Sequence, residues 1–266
     1  MKSPLRYPGG KSRAVKHILP HFPDDVTEVC SPFLGGGSVE LALAEKGVWV
    51  YGYDTFEPLI WFWRALLGNP DALANEADSL RKYKDYYYGY RGLPKEDFNL
   101  IKEELRNEEK YSLQNAAKFY ALNRSSFSGA TLSGGWSKRA SYERFTDSSI
   151  TRIREFSQPK LYVSAQHFKH SIPAHPKTFL YLDPPYLLGK DKENLYGDAG
   201  NKHKGFDHAG LVNILKERDN WILSYNNCPE ILKLYEGYDI IYPDWKYGMS
   251  SNKDSKEVLI INKGKK

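Results

Sequence analysis

The chain has 266 residues, 41% of them hydrophobic and 27% charged, with a formal net charge of +5. That is ample apolar material for a sizeable core, built as one large domain or as a core carrying an insertion. No apolar run approaches the roughly 18 residues of a membrane helix and the amino terminus has no signal-peptide apolar region, while Cys30 and Cys228 are too few for a disulfide framework or a cysteine zinc site.

From the start, Tyr7-Pro-Gly9-Gly10-Lys11 predicts a turn entering a helix over residues 12–19. Two glycines before a lysine at a helix start allow the backbone to approach an anionic or polar ligand. The run is not a P-loop, since the spacing and the preceding strand are wrong; a chance Pro-Gly-Gly turn in a mobile tail explains it equally well. Residues 26–30 read as a strand, followed by Ser31-Pro-Phe33-Leu-Gly35-Gly36-Gly37-Ser38, a helix over 39–46 and a strand over 48–53 that ends in Asp54. Strand, glycine loop, helix, strand, acid is the grammar of a nucleotide-binding βαβ unit, in which the acid can grip a ribose diol. Many tight turns are glycine-rich as well, so the placement of the acid is what favours the functional reading.

Between Asp54 and Asp183 lie 128 residues, far more than one crossover needs. Helices are expected over 58–67, 71–81, 95–109 and 113–122, with a tyrosine-dense polar segment over 83–90. So much helix without strand signals predicts a small helical domain, residues 57–155, inserted into a catalytic domain of residues 1–56 and 156–266. Its sharpest feature is Asn123-Arg124-Ser-Ser126-Phe127-Ser-Gly-Ala-Thr-Leu-Ser-Gly134-Gly135-Trp136-Ser-Lys138-Arg139, a loop or hairpin suited to a groove. Residues 118–154 hold seven basic side chains (Lys118, Arg124, Lys138, Arg139, Arg144, Arg152, Arg154) against two acids (Glu143, Asp147), an excess of +5 that equals the charge of the whole chain. Basic residues with aromatics suit phosphate contact plus base readout. Arg124, Ser126, Phe127, Trp136, Lys138 and Arg139 are the expected DNA contacts, Arg124 at a base edge and Lys138 and Arg139 at the backbone. A solvated basic loop is the plainer alternative.

After the insert, residues 161–165 read as a strand. His167 and His170 have metal-like spacing, but no cysteine or acid cluster completes a site, and they read as surface or structural histidines with no metal expected. Thr178-Phe-Leu-Tyr-Leu-Asp183-Pro184-Pro185-Tyr186 organises the whole chain. An apolar strand ends there because neither proline can donate to a ladder, which leaves Asp183 at the carboxyl edge of the sheet, where ligands bind. The cluster suits methyl transfer to an amine conjugated with a ring, a poor nucleophile whose lone pair is delocalised. Asp183 and the carbonyl of Pro184 can each accept a hydrogen bond from such an amine, held rigidly by Pro184 and Pro185. Tyr186 offers a face to a base removed from its stack.

Residues 188–204 are polar and glycine-punctuated, with Lys190, Lys192, Lys202 and Lys204, and read as a loop folding over a flipped base or as surface disorder. Asp207 is a plausible cap for a helix running to about residue 218. Residues 221–225, 238–242 and 258–261 are candidate strands, 224–227 a loop at the sheet edge, and 250–256 a DNA contact or a plain hairpin turn.

In this order the motifs resemble those of the Dam-type (D12 class) DNA adenine-N6 methyltransferases, over essentially the whole chain. Tyr7-Pro-Gly-Gly-Lys11 is similar to their amino-terminal motif, Phe33-Leu-Gly-Gly-Gly-Ser38 to their S-adenosylmethionine loop, and Asp183-Pro-Pro-Tyr186 to their catalytic motif. The resemblance implies an α/β fold, a mostly parallel seven-stranded methyltransferase sheet. It implies S-adenosylmethionine contacts from Tyr7, Gly10, Lys11, Phe33, Gly35, Gly37, Ser38, Asp54 and Asp183, with Asp54 on the ribose hydroxyls. Asp183, Pro184, Pro185 and Tyr186 become the catalytic cluster, and double-stranded DNA the partner; two cysteines fit a cytoplasmic, DNA-associated setting, and a monomer is expected. The segment over 123–139 resembles the family's target-recognition hairpin but departs from the Asn-Gly-Leu-x-Arg-x-Asn form of GATC recognition, so no GATC target is implied. Competing readings are cytosine amino methylation, where serine often replaces Asp183, and RNA or protein-amide methylation, which leaves the basic insert unexplained. A DNA-binding relative without catalysis is the alternative from another class, and Lys11, Asp54 and Asp183 argue against it.

Overall fold

A computed structural model describes residues 1–83, 89–187, 205–243 and 257–264. The helix expected over 12–19 is one turn, α1 (Val15–Ile18), which tightens into a 3₁₀ turn over Leu19–His21 where Pro20 has no amide to donate. The first parallel unit follows as expected: β1 (Glu28–Ser31), α2 (Ser38–Glu45) and β2 (Trp49–Asp54). Next come α3 (Glu57–Gly68) and α4 (Pro70–Ser79), each with a proline in its first turn where no amide partner is needed. A short antiparallel pair, β3 (Lys82–Tyr83) with β4 (Arg91–Gly92), leads to α5 (Lys95–Arg106), α6 (Leu113–Ser125), α7 (Lys138–Arg144) and α8 (Asp147–Arg154). The chain then returns through β5 (Leu161–Ala165), α9 (Phe168–Ala174), β6 (Phe179–Leu182), α10 (His208–Lys216), β7 (Trp221–Asn226), α11 (Pro229–Leu234), β8 (Asp239–Ile241) and β9 (Glu257–Asn262).

The expected seven-stranded sheet is present, in the order β5-β2-β1-β6-β7-β9-β8. Its first five strands are parallel and β9 runs against both its neighbours. Its central strands β1, β6, β7 and β9 are buried on both faces because helices cover both, while the edge strands β5 and β8 are partly exposed. Val29, Val50, Phe179, Tyr181 and Ile222 face the core shared with α2, α3 and α6, whereas Cys30, Leu180, Leu182, Trp221 and Leu223 face α9, α10 and α11. The helices between β2 and β5 share the first of these cores: Phe62 of α3 stacks on Tyr120 of α6 at 5.4 Å.

Several expectations need correction. α6 runs on through Ser125, so Asn123 and Arg124 are helical and buried, because backbone carbonyls elsewhere satisfy their side chains. Residues 224–226 belong to β7, with the Ser224 hydroxyl buried 3.3 Å from the Tyr181 hydroxyl. The unexpected helices α7, α8, α9 and α11 have 7, 8, 7 and 6 residues, too short to show a period. Their caps were the available signals: Ser137 before α7, the Thr146/Ser149 capping box of α8, and Pro229 opening α11. Asp207 caps α10 as expected, accepting the Gly210 N–H at 2.8 Å. The segments over 188–204 and 250–256, and most of 83–90, lie outside the described residues.

Candidate active site

The chain steps outward from β1 to β2 and β5 on one side, then crosses back to lay β6 against β1's other edge, so the carboxyl ends of β1 and β6 form the sheet's switch point. A cavity of about 390 Å³ opens there. One wall is the loop after β1, whose geometry demands glycine: Gly37 caps α2 at φ 64° with the Trp63 ring 2.9 Å from where a Cβ would stand. At Gly36 a Cβ would come within 2.7 Å of Tyr7 Cβ, so the amino-terminal motif packs directly on the glycine loop. Asp54, at the end of β2, ties that loop down. Its Oδ2 accepts the Gly35 N–H at 3.1 Å and its Oδ1 the Phe56 N–H at 2.9 Å. Phe33, Phe168 and Phe206 form an aromatic wall, with centroids of Phe33 5.7 Å from Phe168 and 5.6 Å from Phe206.

Another part of the lining is charged. Lys11 is 4% exposed, its Nζ 2.7 Å from Asp183 Oδ1, 3.8 Å from Glu257 Oε1 and 3.1 Å from the Gly9 carbonyl to which it donates. The Tyr186 hydroxyl donates to Asp183 Oδ1 at 3.3 Å, and Lys11 Nζ sits 5.0 Å from the Tyr186 ring centroid. Burial pushes the Asp183 carboxyl up from its ordinary range, and the Lys11 ammonium and the Tyr186 hydroxyl pull it back. Glu40, in the first turn of α2, is 3% exposed and accepts a hydrogen bond from Ser31 Oγ at 2.6 Å. Burial drives its carboxyl up to about 7, and the Ser31 bond lowers it only in part. The turn after β6 is pinned from β7: Tyr186 stacks on Tyr225 at 5.6 Å, and Asn226 donates to the Leu187 carbonyl at 2.8 Å.

Residues 7–249 match the family described as D12 class N6 adenine-specific DNA methyltransferase. The chain belongs to that family. It is 22% identical over 281 residues, 97% of this chain and 94% of the relative, to the type II methyltransferase M1.LlaDCHI of Lactococcus lactis subsp. cremoris. It is also 22% identical over 248 residues, 90% of this chain and 88% of the relative, to the type II methyltransferase M.CviBI of Paramecium bursaria Chlorella virus NC1A.

In this D12-class methyltransferase the cavity gathers Tyr7, Gly10, Lys11, Phe33, Gly35, Gly37, Ser38, Asp54 and Asp183, together with Pro184, Pro185 and Tyr186. Sequence reasoning missed Glu40, Phe168, Phe206 and Glu257, which line it too. Glu257 arrives by register, since β9 pairs it with Asn226 at the end of β7. His167, read as a structural histidine, caps α9 by accepting the Lys169 N–H at 3.2 Å, and also borders the cavity. Among the described residues no group of three or more His, Cys, Asp or Glu is placed to hold a metal ion, and no helix is long and apolar enough to cross a membrane.

The residues expected at DNA divide in two. The 126–136 loop is closed like a hairpin by an antiparallel bridge from Ser126 to Trp136. Phe127 stands out from it at 66% exposure, and Lys138 and Arg139 are exposed at the start of α7, Arg139 paired with Glu143 at 2.8 Å. Arg124 instead turns inward, 8% exposed: its Nη2 and Nε donate to the Arg144 carbonyl at 2.6 and 3.0 Å and its Nη1 to the Pro4 carbonyl at 3.5 Å. In this conformation its fork meets carbonyls rather than a base edge. Ser126 is buried and its hydroxyl accepts the Thr131 N–H at 3.1 Å, while the Trp136 indole donates to the Leu93 carbonyl at 2.9 Å. Ser126 shapes the loop from within, while Arg124 and Trp136 tie its two ends to Arg144, Pro4 and Leu93.

Proposed function

We propose that this chain transfers a methyl group from S-adenosylmethionine to the exocyclic amine of an adenine flipped out of a short specific sequence of double-stranded DNA. The carrying observation is Asp183, ion-paired at 2.7 Å to a buried lysine on the rim of a cavity that the glycine loop and Asp54 share. The cavity lies within the roughly 300–1,000 Å³ usual for small-ligand sites, and its aromatic wall and glycine edge suit a nucleoside. In this reading Phe33, with Phe168 and Phe206, flanks the cofactor's base. Asp54 would offer its carboxylate to a ribose diol, and Tyr7, Gly10, Gly35, Gly37, Ser38 and Lys11 would enclose the remainder.

S-adenosylmethionine supplies a methyl group already activated by its sulfonium. Asp183 would accept a hydrogen bond from the adenine amine and stabilise the positive charge that grows on its nitrogen as the N–C bond forms and the C–S bond breaks, with S-adenosylhomocysteine leaving and the nitrogen's proton passing to Asp183 or solvent. Pro184 and Pro185 hold the acceptors in place, and Tyr186, stacked on Tyr225, offers its face to the flipped base. Residues 57–155 serve as the target-recognition insertion, with Phe127 stacking and Lys138 and Arg139 on phosphates.

Expression in a host whose DNA carries no methylation, followed by modification-sensitive sequencing, tests this directly. N6-methyladenine in a fixed sequence context is the expected result. Methylated cytosine amines, or unmodified DNA from a folded protein that takes up the cofactor, overturn the assignment.

A further inference from the structure

We propose that Asn123 and Gly129 are positioning residues for the cofactor pocket, acting through the backbone of Arg6; the inference rests on the pocket being the S-adenosylmethionine site. Asn123 is fully buried in the last turn of α6. Its Oδ1 accepts the Arg6 N–H at 3.0 Å, and its Nδ2 donates to the Arg6 carbonyl at 2.7 Å and to the Gly129 carbonyl at 3.1 Å. The side-chain amide thus grips Arg6 on both its polar groups, as a neighbouring strand would. From the other side Gly129 (φ 76°) lies so close that a Cβ there would collide with the Arg6 carbonyl. Arg124 adds a hold on the Pro4 carbonyl at 3.5 Å.

The residue after this anchor is Tyr7, which packs on Gly35 and Gly36 of the cofactor loop. The Tyr7 carbonyl accepts the Gly10 N–H at 2.9 Å, and Lys11 then meets Asp183 at 2.7 Å. Five residues, 7 to 11, therefore join the insert's grip on Arg6 to the charged wall of the cavity. Neither Asn123 nor Gly129 lines that cavity, so an effect on cofactor affinity must travel through Arg6. The loop's other anchors lead elsewhere: Lys102 donates to the Gly134 carbonyl at 2.6 Å and Arg106 to the Leu132 carbonyl at 3.0 Å, both from α5.

Calorimetric titration of the full chain with S-adenosylmethionine, without DNA, decides the matter. Asn123→Asp keeps the acceptor for the Arg6 N–H but aims oxygen at two carbonyls; Gly129→Ala displaces the Arg6 carbonyl; Lys102→Met loosens the same loop without touching Arg6. The first two are expected to raise Kd about tenfold, as the loss of a buried hydrogen bond commonly does, while Lys102→Met stays within about twofold of the parent. Parent-like Kd in folded Asn123→Asp and Gly129→Ala overturns the inference, as does an equal loss in Lys102→Met, which would mean only a general loosening. If Asn123→Asp does not fold, Gly129→Ala decides by the same criterion, alongside hydrogen exchange of the amides from Arg6 to Lys11, expected to speed up in Gly129→Ala and not in Lys102→Met. A parent that takes up no S-adenosylmethionine is read first. It overturns the reading of the pocket, and this inference with it.

Discussion

Two cations of this molecule are almost equally buried, Lys11 at 4% and Arg124 at 8% exposure, yet they sit in opposite electrostatic settings. Lys11 has two carboxylates beside it, Asp183 and Glu257, at the mouth of a cavity. Arg124 faces backbone carbonyls of Arg144 and Pro4, and burial lowers its affinity for its proton. Carboxylates kept beside a cavity at the cost of desolvation are groups held for a ligand, since a fold alone is served as well by apolar packing. Carbonyls around a guanidinium satisfy groups that would otherwise be orphaned, which is a task of the fold. Under the proposed function the contrast places chemistry in one region and architecture in the other, and it can be tested from both ends.

The largest effect is expected at Asp183. Asp183→Asn keeps the shape and leaves Lys11 its contacts with Glu257 and the Gly9 carbonyl, so the chain should stay folded. On the proposed function the substitution removes the charge aimed at the reacting amine, and the single-turnover rate of DNA methylation should fall about 100-fold or more. A rate within about tenfold of the parent would return Asp183 to the architectural class, because removing a positioned acceptor normally costs more than that.

Arg124→Met is the converse. It strips donors from the Arg144 and Pro4 carbonyls in a closed site, and stability should drop by about 3 kcal/mol as read from urea unfolding. On DNA, any surviving fold should keep its preference for the target duplex. A stable variant that no longer distinguishes target from random duplex would show that the fork swings out to a base edge after all.

Glu40 sharpens the comparison through pH. Its carboxyl is raised from 4.5 to about 7 in the folded chain, so between those values the folded state holds a proton that the unfolded chain has released. Stability from this group is therefore intact below about pH 4.5 and is lost as pH rises to about 7. Glu40→Gln retains an acceptor for Ser31 and removes the titration. It should match the parent near pH 4.5 and exceed it by at most roughly 3 kcal/mol at pH 8, measured as the difference between the two unfolding curves. A constant difference across that range would mean that Glu40 keeps an ordinary carboxyl.

Much of this was legible beforehand, for physical reasons that also mark the limits. β1, β2 and β6 are apolar runs closed by proline or acid, and β5 and β7 are short runs of strand formers, so the strands and the ring of Tyr7, Lys11, Gly35, Asp54 and Asp183 followed from local chemistry, and the parallel sheet from the family resemblance. Glu257 was not legible, because it reaches Lys11 only through the register of β9 on β7. Nor was the inward turn of Asn123 and Arg124. A Gly/Ser-rich basic stretch looks solvent-facing until one knows that residues 4 to 6, nearly 120 positions away, bring the carbonyl and amide partners.

The smallest effects are expected on the exposed side of residues 126–144, and they separate its outward residues from Arg124. Lys138 and Arg139 begin α7 with their side chains in solvent, and Arg139 pairs with Glu143, one turn along on the same surface. An exposed pair of this kind adds little to stability and is easily exchanged for a phosphate. Lys138→Ala and Arg139→Ala should therefore leave the melting temperature essentially unmoved. On DNA each should weaken target and random duplexes alike, because phosphates carry no sequence, and should reduce the slope of log affinity against log salt by about 0.9. Salt titrations on both duplexes for each variant make the measurement. A loss confined to the target duplex would move these two residues to base readout; an unchanged slope in both would leave them as solvated surface and shift the phosphate contacts to other basic residues of the insert.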